Sequence, residues 1–262
     1  MNHNKILIII VTVLIIIFVI AVYLSATAKT YFKDGNNTSK INNFLGGYCE
    51  DKAVFDSKDF PWSKGFRNNW KAIKDEYIIY SDKYMVPDFK SISESTSSCN
   101  VNNGWKTLFL RAYGVDTEIT HMFPKTMELI NKCPCTLAFF SVFEPGTKLL
   151  PHVGVFKGVL RYHLPLIVPD DWDKCFINVN GHKLHWRLNE DLMFDDMYIH
   201  YAENNTNQRR VVLFLDIKRD FKNPFINGLN SLLLKSVKSN DAVKDTVRKA
   251  NSNNFKQKSS GK

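Results

Sequence analysis

His152 and His200 are the residues with the clearest capacity for chemistry. His152 closes the run Leu149-Leu150-Pro151 after the turn Glu144-Pro145-Gly146-Thr147, and His200 follows Phe194-Asp195-Asp196-Met197-Tyr198-Ile199. Two imidazoles carried on separate strands can hold a divalent transition metal. Between them lies Leu160-Arg161-Tyr162-His163-Leu164, and beyond them Arg209-Arg210-Val211-Val212-Leu213-Phe214. In a strand, residues two apart share a face, so Arg161 and His163 project together, away from Leu160, Tyr162 and Leu164. Arg210 shares a face with Val212 and Phe214. An arginine on an apolar face is costly unless something anionic meets it, and a guanidinium matches a carboxylate in two-pronged fashion.

Each of these residues also has a plain structural reading. The Arg161 face could be the wet one, Arg210 could be one half of a surface ion pair, and a single histidine is usually a hydrogen-bonded structural residue. His182 and His185 flank a predicted hairpin and are expected in solvent. Cys133-Pro134-Cys135 is too closely spaced for the usual zinc pair and lacks a second pair, so it reads as structural. What favours chemistry is the ordered set of Ser141, His152, Arg161, His163, His200 and Arg210.

The elements that must position this set are short β runs. Strands are expected at 137–144, 159–168, 175–179, 183–187, 191–194 and 209–217, with Asn180-Gly181 as a tight hairpin. Short strands at this spacing imply a sandwich or barrel. Upstream, Phe66, Trp70, Ile73, Tyr77 and Tyr80 recur at helical steps, and Pro124–Ile130 reads as a short helix with proline in its first turn. Gly104–Gly114 is strand-like and 90–103 is a Ser-rich loop. The apolar cluster within 221–238 predicts a helix lying back on the domain.

A chain of 262 residues suffices for one sizeable domain. Its five scattered cysteines are no disulfide framework. From Lys235 onward eight Lys or Arg face two Asp, which leaves +6 of the total +9 in that segment. The basic character therefore belongs mainly to a tail, and no specific nucleic-acid partner is expected. Ile6 to Leu24 is almost wholly aliphatic or Phe; as a helix it would be roughly 28 Å long, close to the hydrocarbon thickness of a bilayer. Ala26-Thr27-Ala28 offers a cleavage-site alternative, but the run exceeds a signal peptide's usual apolar core. The expected organisation is an N-terminal transmembrane anchor (1–28), a polar linker (29–47), a domain with flanking helices (48–238) and a basic flexible tail (239–262). The expected location is a single-pass membrane protein, with the side of its domain open.

Residues 104–221 resemble the aspartyl/asparaginyl β-hydroxylase family, a branch of the iron(II)/2-oxoglutarate dioxygenases. The resemblance runs through Gly104-Trp105, Pro124-Lys125-Thr126, Ser141, Pro145-Gly146-Thr147 and Pro151-His152-Val153-Gly154. It continues through Leu160–Leu164, Phe194-Asp195-Asp196, His200 and Arg210–Asp216. Residues 160–169 and 198–204 look particularly like the lipid A acyl-chain hydroxylases of bacteria. The resemblance implies a mainly β fold, a double-stranded β-helix or jelly roll, with His152 and His200 ligating Fe(2+). It implies that Trp105, Ser141, Arg161, His163 and Arg210 surround 2-oxoglutarate as cosubstrate, and that Asp195 and Asp196 are turn or supporting residues.

Two departures stand out. The usual iron triad has a carboxylate two residues after the first histidine, and here that residue is Gly154. The peptide-acting branch has an arginine where this chain has Val159, which favours a neutral or acyl substrate over Asp/Asn. The expected function is hydroxylation of a lipid acyl chain or a peptide Asp/Asn side chain. The alternative is a catalytically silent jelly-roll module on a membrane, binding anionic partners through its basic tail.

Overall fold

The computed structural model describes residues 35–92, 99–238 and 240–257. Among these, eleven strands form two antiparallel sheets. The larger contains β1 (Val54–Phe55), β2 (Trp105–Ala112), β3 (Val115–Asp116), β4 (Cys135–Phe143), β6 (Val159–Ile167), β9 (Leu192–Phe194) and β11 (Arg210–Lys218), in the order β1-β9-β6-β11-β4-β2-β3. The smaller contains β5 (Lys148–His152), β7 (Cys175–Val179), β8 (His182–His185) and β10 (His200–Asn204), in the order β5-β10-β7-β8. From β4 to β11 the chain passes between the sheets so that β4, β11, β6 and β9 face β5, β10, β7 and β8. This is the eight-strand jelly-roll arrangement.

The larger sheet is buried on both faces. One face carries Ala138, Phe140, Val142, Tyr162, Leu164, Leu213 and Leu215, packed under Ile73, Tyr77 and Tyr80 of the helix Trp70–Lys83. The other carries Leu137, Phe139, Phe143, Val212 and Phe214, directed towards Ile177, Val179 and Ala202 of the smaller sheet. Burial on both sides explains why β4 and β11 read as nearly continuous apolar runs. Phe139 and Phe214 stack with ring centroids 4.1 Å apart across the β4–β11 pair.

The expected strands are present to within a few residues at their ends, and the Asn180-Gly181 turn joins β7 to β8. The single amphipathic helix expected from Phe66 to Tyr80 is instead two, Ser63–Asn68 and Trp70–Lys83, interrupted at Asn69. Four strands had no counterpart in the sequence reading: the two-residue β1 and β3, and β5 and β10. The last two are the ones that carry His152 and His200. β5 is an edge strand containing Pro151, which has no N–H for a ladder, and β10 reads His-Tyr-Ala-Glu-Asn.

Three expectations of organisation are corrected. The apolar run 6–24 lies outside the described residues. Among the described residues no helix is long and apolar enough to cross a membrane, so the single-pass membrane protein expected from the sequence is not supported. The longest described helices have 14 residues, about 21 Å at ~1.5 Å per residue, well short of a bilayer core.

The linker is partly a helix, Gly35–Gly46, whose Leu45 is fully buried with Phe221 and Ile226. The tail is also helical, at Asp241–Asn253. Asn240 caps it by accepting from the Ala242 N–H at 3.0 Å. Val243 and Ala250 bury one face, while Arg248 and Lys249 pair with Asp245 on the other. Charge counting made the segment look solvated because the few apolar residues that dock it are small and spaced at helical intervals.

Candidate active site

The two histidines are brought together by strand pairing. His200 on β10 is directly opposite His152 on β5, and their ring centroids lie 4.2 Å apart. The register slips immediately beyond, between His200 and Ala202, a bulge of the kind that re-aims side chains beside sites. Each ring is held at Nδ1. The His152 Nδ1–H donates to the Leu150 carbonyl at 2.7 Å, and the His200 Nδ1–H donates to the Tyr198 carbonyl at 2.9 Å. A carbonyl can only accept, so the proton is fixed on Nδ1 and the Nε2 lone pair is left free on both rings. Burial pushes both rings towards the neutral form. The His200 value falls to about 3, with Arg161 and His152 adding to the effect of burial. Neutral imidazole with a free Nε2 is the metal-ligating form.

Beside the histidines lies a cavity between the sheets lined by Trp105, Ser141, His152, Arg161, His163, Trp186, His200, Arg210 and Phe214, among others. All seven residues singled out from the sequence therefore border one space. Their chemistry is one-sided. Trp186 Nε1–H donates to His163 Nδ1 at 3.2 Å. Indole nitrogen can only donate, so His163 must accept at Nδ1 and carry its proton on Nε2. That Nε2 is buried with no partner. Burial and the nearby Arg210 and Arg161 charges keep the ring neutral, its pKa well below the ordinary value.

Ser141 Oγ accepts from Trp105 Nε1 at 3.0 Å and from Arg210 Nη1 at 3.4 Å. Its own hydrogen is left to give. Arg210 is 1% exposed. Its guanidinium lies 3.7 Å from the Phe143 ring centroid and 4.2 Å from that of Trp186, and Nε has no partner. It forms no ion pair among the described residues. Burial pulls its pKa down to about 10, so it is still a cation at neutral pH. Three donors, Ser141 O–H, His163 Nε2–H and Arg210 Nε–H, thus border a buried space without a matching acceptor. Such a set calls for an anion.

Arg161 is placed differently from Arg210. It pairs with Asp196 Oδ2 at 2.7 Å and Asp216 Oδ1 at 3.1 Å, and its guanidinium lies over Phe214. Its charge is largely balanced within the protein. Asp195 is fully buried, pairing with Lys157 Nζ at 2.6 Å and with Arg219; it anchors the turn before His200. His182 is exposed and His185 lies at the outer end of its strand, away from the cavity. The five cysteines are all free.

One residue was missed by the sequence reading, Trp186, and one named there as a turn or supporting residue, Asp196, has a specific part. Trp186 is 1% exposed and sets the His163 tautomer; nothing local in the sequence separates it from any other core tryptophan. Asp196 explains Gly154. A Cβ on residue 154 would stand 2.1 Å from Asp196 Oδ2, and the Gly154 N–H donates to the Asp196 carbonyl at 2.6 Å. The Asp196 carboxylate thus fills the space that a side chain at 154 would take. Burial pushes its pKa up to about 6, against the pull of Arg161.

Replacing Gly154 by Ala should therefore destabilise the fold by about 1–3 kcal/mol through overpacking. Gly154→Asp, although it supplies the carboxylate of the usual triad, should be worse, because it adds a second acid beside Asp196. Urea denaturation of the three proteins checks this; a Gly154→Asp variant as stable as wild type would show that the close approach is relieved by movement.

A second, larger cavity of about 180 Å³ opens from the same histidine. Its lining is mostly apolar, with Phe109, Leu137, Phe139, Val153, Val159 and Leu233 among its walls, and a polar patch made by Arg161, Asp196 and Asp216. Arg161, His152, Trp105 and Phe214 border both spaces.

A half-buried imidazole and a buried one thus face each other beside a donor-lined pocket held between jelly-roll sheets. The sequence model of the aspartyl/asparaginyl β-hydroxylase family matches residues 67–220. The chain is similar to an ornithine lipid ester-linked acyl 2-hydroxylase of Rhizobium tropici, 39% identical over 179 residues, which covers 66% of this chain and 64% of that protein. It is also similar to the human aspartyl/asparaginyl β-hydroxylase, 27% identical over 164 residues, covering 59% of this chain and 20% of that protein. The aligned region thus spans just under two thirds of the length of the first of these relatives and a fifth of the second. Among solved structures, a cupin domain of a transcriptional regulator from Enterobacter cloacae aligns with 45% of this chain and 99% of its own at 10% identity, with a TM-score of 0.32. The chain belongs to the aspartyl/asparaginyl β-hydroxylase family.

The family implies iron(II) and 2-oxoglutarate, and the residues present fit them. Among the described residues no group of three or more His, Cys, Asp or Glu gathers around one point, and His152 and His200 are the two that would hold a metal here. The Ser141, His163 and Arg210 donors that lack an acceptor would suit the carboxylate of an oxo-acid.

Proposed function

We propose that this chain is an iron(II)- and 2-oxoglutarate-dependent hydroxylase whose target is the acyl chain of a lipid. The observation that carries this reading is the division of the space around His152. On one side is a small cavity whose buried donors have no acceptor, and on the other a larger cavity with apolar walls. The first suits a dicarboxylate and the second an aliphatic chain. Val159 lies on the wall of the second and offers no cation to an acidic side chain, and Arg161 in the same lining is already paired with Asp196 and Asp216. The relative in Rhizobium tropici, named as an acyl hydroxylase, points the same way.

His152 and His200 would hold the iron through Nε2, and bound iron supplies the activation of O₂ that hydroxylation requires. The remaining tasks fall to the chain. Arg210 and Ser141 bind one carboxylate of the cosubstrate, and His163 donates Nε2–H to the oxo-acid near the metal. Trp186 keeps that hydrogen in place by occupying Nδ1 with its own N–H. Arg161, braced by Asp196 and Asp216, shapes the wall beside the histidines with its charge already balanced. Phe139, Phe214 and Trp105 keep bulk water from the reacting carbon.

Trp186→Phe should raise the KM for 2-oxoglutarate about tenfold with a smaller change in kcat, since the His163 ring is then free to take the other tautomer. Steady-state kinetics with varied 2-oxoglutarate measures this, and an unchanged KM would count against the tautomer assignment.

The alternative of a silent module rested on a free basic tail. Part of that charge is engaged with Asp241 and Asp245 inside a docked helix. The deciding experiment is an anaerobic calorimetric titration of the full chain with 2-oxoglutarate, with and without iron(II). Aerobic assays for succinate, and mass spectrometry of lipids and of Asp/Asn peptides, then follow. Iron-dependent binding and a gain of one oxygen on a lipid are expected. Absence of iron-dependent binding would sink the enzyme reading, and oxygen gained on peptide alone would overturn the substrate.

A further inference from the structure

The apolar cavity is lined in part by residues that lie beyond the family match, which ends at residue 220. Leu233, Leu234 and Val237 of the helix Pro224–Val237, with Thr246 of the helix Asp241–Asn253, border it together with Phe109, Leu137 and Val159 of the jelly roll. Resting on the acyl-chain reading above, we propose that this C-terminal helix pair is the wall that measures the substrate: Leu233, Leu234 and Val237 set the length of aliphatic chain the site accepts.

A wall can measure length only if it is fixed, and this one is. The helix begins at a cap, with Asn223 Oδ1 accepting from the Phe225 and Ile226 N–H groups and proline at the first helical position. Ile226, Asn230, Leu233 and Val237 recur at four- and three-residue steps along the buried face. Asn230, fully buried, donates its amide to the Gly158 carbonyl at 2.9 Å and the Arg219 carbonyl at 3.0 Å. A Cβ on Gly158 would stand 2.1 Å from Asn230 Oδ1, so the helix lies directly against the start of β6. The second helix is held independently. Asn251 Oδ1 accepts from the Glu118 N–H at 3.0 Å, the Tyr80 hydroxyl donates to the Asn254 carbonyl, and Met85 N–H donates to the Lys256 carbonyl at 2.8 Å.

The chemistry of the lining divides the labour. The polar groups, Arg161, Asp196, Asp216 and His152, belong to the jelly roll. Apart from Thr246, everything the helix pair contributes is aliphatic. A hydrocarbon tail gains by burial there roughly in proportion to its length until it meets the wall, and loses steeply beyond it. Enlarging or shrinking these side chains should move the limit without touching the histidines or the anion pocket.

The test is displacement of a fluorescent fatty acid from the full-length protein by a series of straight-chain fatty acids, measured without iron. Val237→Phe and Leu233→Ala are compared with wild type. Val237→Phe should weaken binding of the longest chains about tenfold while leaving shorter ones unchanged, and Leu233→Ala should extend the preferred length. Iron-dependent 2-oxoglutarate binding, unchanged in both variants, shows that they are folded. Chains that bind wild type with a length profile unmoved in either variant would overturn the measuring role. Failure of wild type to bind any chain, with 2-oxoglutarate binding intact, would overturn the acyl reading itself.

Discussion

Arg210→Met is expected to leave the protein at least as stable as wild type while weakening 2-oxoglutarate binding about a hundredfold or more. The guanidinium is 1% exposed and forms no ion pair among the described residues; its stabilising contacts include the faces of Phe143 and Trp186, two long hydrogen bonds to Ser141 and the Cys175 thiol. An unbalanced buried cation costs desolvation energy that these contacts recover only in part, so an apolar side chain of similar length is neutral or favourable to folding. Bound to a carboxylate, the same group makes a charge-assisted, desolvated pair. Losing one partner of such a pair costs about 2–5 kcal/mol. The opposite signs make the test sharp. Thermal denaturation and calorimetry on one preparation give both numbers. A large fall in stability with normal binding would mean that Arg210 is a structural residue.

His200→Ala should abolish iron-dependent turnover, with a fall of at least about a thousandfold, because one of the two proposed iron ligands is lost. His152→Ala should behave alike. His163→Ala makes the contrast, since its ring belongs to the anion pocket: iron binding should persist while the affinity for 2-oxoglutarate falls. Anaerobic iron titration followed by the turnover assay separates the cases. Substantial iron-dependent activity in His200→Ala would show that the metal sits elsewhere.

Much of this was legible in the chain because the periodicities are local. Arg161 and His163 on one face of β6, with Leu160, Tyr162 and Leu164 on the other, is a consequence of the strand repeat, and the structure separates them accordingly between the two sides of the larger sheet. The helix Pro224–Val237 and the hairpin at Asn180-Gly181 were announced by spacing and by turn residues in the same way. Six of the seven cavity residues were picked out as an ordered set, and Trp105 was added by the family resemblance.

Other features depend on partners remote in the chain, and no local pattern records them. β5 and β10 lack the apolar alternation of strands; they become strands by pairing with each other and with β7, and that pairing sets His152 against His200. The tautomer of His163 is decided by Trp186, and the smallness of residue 154 by Asp196. The two flanking segments that looked like solvated tethers dock as helices. A few buried contacts, Leu45 at one end and Val243 and Ala250 at the other, outweigh the polar composition around them. Composition is a property of the segment alone, whereas docking depends on the surface it meets. Sequence by itself determined which side chains could do chemistry and the class of fold that carries them. The tertiary structure decided which of them meet, which donors are left without acceptors, and what lines the apolar cavity.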